Sequence, residues 1–62
     1  MKLKDIKHVY FLGVGGIGMS ALARYFKSLG ATVNGYDRTP TALTDALQKE
    51  GIGVTFEDDL AV

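Results

Sequence analysis

Residues 9–20 read VYFLGVGGIGMS: an apolar run, then four glycines within six positions, then the start of a helical pattern. Val9, Tyr10, Phe11 and Leu12 follow one another without polar alternation. That pattern predicts a strand buried on both faces, as at the centre of a parallel sheet. Gly13, Gly15 and Gly18 satisfy the spacing G-x-G-x-x-G directly after that strand and at the opening of a helix, the context in which the spacing acquires meaning. Gly13 is expected to permit a tight turn, Gly15 to let an anionic group approach the backbone, and Gly18 to let the helix pack closely on the strand. Unpaired N–H groups at the helix start, at the positive end of its dipole, favour a diphosphate. A glycine turn of purely structural purpose is the competing reading.

Outward from the loop, apolar residues recur at Ile17, Ala21, Leu22, Tyr25, Phe26 and Leu29, which predicts one helical face over 17–29. Gly30 stands at the left-handed stop position. ATVNGYD, residues 31–37, reads as a short strand ending at Tyr36 or Asp37. Thr39 is the expected N-cap of a second helix, with Pro40 at its first position, where a missing N–H is harmless. Leu43, Ala46 and Leu47 form its apolar face and Gly51 closes it. IGVTFED, residues 52–58, is a third strand with Val54 and Phe56 on one side and Thr55 on the other. The predicted fold class is α/β: β-α-β-α-β with a three-stranded parallel sheet, half of a Rossmann-like doubly wound fold.

In that fold the first strand pairs on its far side with a fourth strand from later in the chain. No such strand is present, so the 62 residues are expected to be the N-terminal fragment of a longer protein. The first strand is then an open edge that invites self-association. A chain of this length makes at most one small domain, burying only about 60% of the surface its unfolded form exposes.

Composition narrows the function classes. Seven basic residues balance seven acidic ones without a long block of either sign, which gives no reason to expect a nucleic-acid or anionic-membrane surface. The lack of cysteine removes disulfides and thiolate metal sites and suits a cytoplasmic chain. The apolar run after MKLKDIKH is too short for a signal sequence or a membrane span.

Asp37 lies 19 residues beyond Gly18, at the end of the second strand, where a carboxylate can accept hydrogen bonds from a ribose hydroxyl. The competing reading is a turn residue before Arg38-Thr39-Pro40. Arg38 would suit a ribose 2′-phosphate, but Asp37 beside it would repel one. His8 is the only histidine and has no second ligand at metal spacing. Arg24, Lys27 and Lys49 read as solvated helix residues, and Tyr25 and Phe26 as packing residues.

Gly16 and the Met19-Ser20 pair depart from a plain dinucleotide loop. GVGGIGMSALARYF at 13–26, followed by GYD at 35–37, resembles the N-terminus of the Mur ligase family, whose loop reads G-x-G-G-x-G-M-S with an aspartate ending the next strand. The resemblance covers nearly the whole chain but only the first part of such an enzyme. It implies that the diphosphate belongs to a UDP-sugar, UDP-N-acetylmuramate, held by the phosphate loop Gly13, Gly15, Gly16, Ile17 and Gly18. Ser20 would add a hydroxyl near the phosphates, and Asp37 would lie near the uridine. It also implies that ATP and Mg2+ activate the muramate carboxylate as an acyl phosphate, which an amine then attacks. No G-x-x-x-x-G-K-[ST] loop occurs here. The ATP-binding and amino-acid domains are therefore expected downstream, with no catalytic residue, metal ligand or cofactor in this segment. The alternative left open is an NAD-binding Rossmann half of a dehydrogenase or regulatory domain.

Overall fold

The computed structural model describes residues 5–57. The elements run β1 (His8–Leu12), α1 (Ile17–Ser28), β2 (Thr32–Tyr36), α2 (Ala42–Lys49) and β3 (Gly53–Thr55). The three strands are parallel in the order β1-β2-β3, the β-α-β-α-β arrangement that the sequence predicts.

Strand register separates two faces. Val9 pairs with Val33, and Phe11, Gly35 and Val54 align across the sheet. This row faces the helices and, with Val14, Ala23, Ala31, Leu47 and Ile52, forms the core. The opposite row contains Tyr10 and Leu12, which are 57% and 58% exposed. β1 is therefore buried on one face, not on both as its unbroken apolar run predicts. The reason is topological: right-handed crossovers between consecutive neighbouring strands place α1 and α2 on the same side. Among the described residues no element covers the other side.

Both helices end in the same way. After α1 the N–H of Gly30 donates to Lys27 O and that of Ala31 to Phe26 O; after α2 the N–H of Gly51 donates to Gln48 O and that of Ile52 to Leu47 O. Gly30 and Gly51 have φ of +91° and +92°, so each helix closes in a Schellman motif on the glycine that the sequence marks as its stop. The residue beyond each glycine, Ala31 or Ile52, is buried in the core, which turns a chain reversal into the first residue of packing.

Two sequence expectations shift by a fraction of a turn. α2 begins at Ala42 with Thr41 as its N-cap, two residues later than expected. Thr44 Oγ1 accepts the Thr41 N–H at 2.8 Å and Thr41 Oγ1 accepts the Thr44 N–H at 3.1 Å, a reciprocal capping box that the Thr39-Pro40 start could not make. In α1 the buried residues are Ser20 and Ala23, with Met19 and Phe26 packed on the core. Ile17, Leu22 and Tyr25, assigned to the inner face by periodicity, are 87%, 48% and 47% exposed. Small side chains at 20 and 23 let the helix axis approach the sheet, and Phe26 fills the space at its far end against Phe11, with ring centroids 6.2 Å apart.

Across the helices, the Arg24 guanidinium donates to both carboxylate oxygens of Glu50, Nε to Oε1 at 2.8 Å and Nη2 to Oε2 at 2.7 Å. Arg24 is thus exposed but paired, where the sequence suggests only a solvated charge. Lys49 meets Asp45 one turn earlier in α2 at 3.2 Å.

Candidate functional site

The glycine loop connects β1 to α1 at the C-terminal edge of the sheet, and the end of β2 holds it there. Gly13 takes φ +73° to turn the chain out of β1. The N–H groups of Gly13 and Val14 then both donate to Tyr36 O, at 2.8 and 3.0 Å. Val14 is fully buried, and its side chain lies over Gly35: a Cβ at Gly35 would stand 2.6 Å from Val14 Cβ. One residue further, the Gly15 N–H donates to Asp37 Oδ2 at 2.7 Å. Gly35, Tyr36 and Asp37 of β2 and its exit thus anchor three consecutive loop residues.

The anion closest to the Gly15 backbone is one that the chain itself supplies, the Asp37 carboxylate. Its second oxygen, Oδ1, accepts the Thr39 N–H at 3.1 Å, so Asp37 also fixes the turn leading to α2. Oδ1 thus serves the turn that one sequence reading gives to Asp37, while Oδ2 holds the loop, a contact that neither sequence reading names.

Beyond Gly15 the loop passes into α1. The Gly16 N–H donates to Gly13 O at 3.0 Å, and the first helical bond runs from Ser20 N–H to Gly16 O at 2.8 Å. Between them the N–H groups of Ile17, Gly18 and Met19 have no acceptor among the described residues. Gly16 is the N-cap without a side-chain cap, and no acidic residue occupies the first turn. α2, by contrast, has a complete capping box and Asp45 in its first turn. The start of α1 therefore leaves these donors and its positive dipole end without a partner among the described residues.

The remaining predicted residues fall as follows. Gly13, Gly16, Ile17 and Gly18 are exposed around the open helix start, and Gly15 and Asp37 are half-buried behind it. A Cβ on Gly18 would meet nothing within 4 Å. The close approach of α1 to the sheet, the role expected of it, rests instead on the small buried residues Ser20 and Ala23, while Gly35, which the loop pattern does not flag, makes room for Val14 of the loop. Ser20 is 3% exposed, and its hydroxyl donates to Ile17 O at 3.0 Å, so it lies beneath the first turn rather than on its open side. His8 is exposed at the start of β1, and among the described residues no three His, Cys, Asp or Glu side chains gather as a metal site. No step of the chemistry is assigned to these residues.

A parallel β-α-β-α-β sheet, with a glycine turn leading into an uncapped helix and an acidic residue closing the second strand, defines half of a Rossmann-like doubly wound domain. Residues 8–62 match the family described as "Mur ligase family, catalytic domain", and the chain belongs to that family. Similar proteins include UDP-N-acetylmuramate–L-alanine ligases of Christiangramia forsetii, 63% identical over 97% of this chain, and Flavobacterium psychrophilum, 58% identical over 97%. The same-named enzyme of Porphyromonas gingivalis is 64% identical over 89% of the chain. The chain spans 13%, 13% and 12% of the length of these three relatives. Membership of a ligase family sets aside the dehydrogenase alternative.

Proposed function

We propose that this chain is the UDP-N-acetylmuramate-binding N-terminal segment of a cytoplasmic, ATP-dependent ligase that joins L-alanine to UDP-N-acetylmuramate in cell-wall peptidoglycan synthesis. The observation that carries this reading is the run of free N–H groups at Ile17, Gly18 and Met19, presented by a helix start with no cap of its own. In a family whose named relatives act on a UDP-sugar, that start is where the diphosphate binds.

The roles divide by position. Gly13, Gly15 and Gly16 shape the loop, Ile17 and Gly18 bring N–H groups to the phosphates, and Asp37 lies toward the nucleoside. Ser20, held beneath the first turn, supports the loop from below. ATP and Mg2+ supply the activation of the muramate carboxylate, at sites belonging to the ATP-binding and amino-acid domains of the longer protein. The segment alone catalyses nothing. Its partner is the small-molecule substrate, not nucleic acid or membrane, and in isolation it associates through the open edge of β1.

The test is an amide NMR titration of the full-length protein, labelled with 15N-glycine, against UDP-N-acetylmuramate and separately against NADH. Shifts of Gly13, Gly15, Gly16 and Gly18 with the UDP-sugar are expected. Shifts with NADH alone would overturn the reading.

A further inference from the structure

Gly15 is enclosed by two side chains, Asp37 from the exit of β2 and Thr44 from the first turn of α2. Its N–H donates to Asp37 Oδ2 at 2.7 Å. The place its Cβ would take lies 2.6 Å from that oxygen and 2.8 Å from Thr44 Cγ2. Neither neighbour is free to retreat. Asp37 is tied by its other oxygen to the Thr39 N–H, and Thr44 is 1% exposed and locked into the capping box with Thr41. A carboxylate that accepts a backbone N–H makes a charge-assisted bond, about twice as strong as a neutral one.

We infer that Asp37 is a positioning residue for the diphosphate: it engages the Gly15 amide, removes that N–H from the set offered to the ligand, and fixes the loop so that the diphosphate falls to Ile17, Gly18 and Met19. The ligand in this statement rests on the UDP-sugar reading above; the clamp on Gly15 does not. The consequence separates Asp37 from a simple ribose acceptor. Its carboxylate still has lone pairs for a ribose hydroxyl, but its effect on the phosphates travels through Gly15 and persists when the ribose hydroxyls are absent.

The experiment uses the full-length protein labelled with 15N-glycine. In the ligand-free state, Asp37→Asn replaces a charged acceptor by a neutral one of the same shape, and the Gly15 amide proton is expected to move upfield more than those of Gly13, Gly16 or Gly18. Calorimetry then compares UDP with 2′,3′-dideoxy-UDP on the wild type, Asp37→Asn and Asp37→Ala. Removal of the carboxylate is expected to weaken both ligands by roughly tenfold or more, because the loop is then held in its binding arrangement only part of the time. A loss confined to UDP would reduce Asp37 to a ribose acceptor and overturn the inference, as would an unmoved Gly15 amide. Failure of the wild type to bind UDP or UDP-N-acetylmuramate, with the Gly15 amide still responding to Asp37→Asn, would sink the UDP-sugar reading and uphold the clamp.

Discussion

A hydrogen atom in place of a methyl group has different causes at Gly35 and at Gly18. At Gly35 the cause is internal, because a Cβ would stand 2.6 Å from Val14 Cβ and 3.0 Å from Phe11 O. Gly35→Ala is therefore expected to destabilise by about 1–3 kcal/mol through overpacking. Urea unfolding of Gly35→Ala against the wild type checks it, and an unchanged midpoint would contradict the overpacking. At Gly18 no internal cause exists, because a Cβ there meets open space within a helical turn. Gly18→Ala is expected to raise stability by about 0.5–1 kcal/mol while weakening UDP-sugar binding, because the methyl would occupy ligand space. Unfolding midpoints and calorimetric affinities that moved in the same direction would contradict that division.

The two helices share their C-terminal device and differ at their N-termini. α2 satisfies its first turn with Thr41 and Thr44, so Thr41→Ala should cost about 1 kcal/mol of stability, read from the shift in denaturation midpoint. α1 has no equivalent residue to remove. A side-chain ion pair, Arg24–Glu50, bridges α1 and the end of α2. The hydrogen bond from Arg24, and its charge, hold the Glu50 carboxyl below its ordinary range against a smaller opposing effect of burial. Arg24 is raised in turn by the bond to Glu50 and stays charged at all ordinary pH. Since the folded Glu50 value is the lower one, the pair's contribution is present above the ordinary carboxylate range and is lost as pH falls through the folded value. Glu50→Gln should thus flatten the acid limb of a stability-against-pH curve and leave the alkaline limb unchanged. The pair is exposed, so the effect should also shrink with salt.

Over the whole molecule the sheet is one-sided. Phe11, Val33 and Val54 are buried under the helices, while Tyr10 and Leu12 face outward and β1 has an unpaired edge among the described residues. Sedimentation of the 62-residue chain is expected to show concentration-dependent association. Lysines at positions 10 and 12, placed beside that edge, are expected to suppress it. Equal association of the wild type and the double lysine variant would mean that β1 is not the contact.

The order of elements, the glycine stops and the turn at Gly13 were legible in the sequence because each depends on residues within a few positions of one another. Helical periodicity, left-handed glycines and the strand-loop-helix context of G-x-G-x-x-G are local signals, and so is the resemblance of GVGGIGMS and GYD to a family loop. The phase of α1, the single buried face of β1 and the start of α2 were not local. They follow from which side of the sheet the crossovers choose and from how closely Ser20 and Ala23 let a helix approach. The partner of Gly15 belongs to the same group. The sequence marks Gly15 as a place for an anion and Asp37 as an acid at a strand end, but across a separation of 22 positions it carries no sign that the two meet. Only parallel pairing of β1 with β2, which brings Leu12 level with Tyr36, places the carboxylate against the loop.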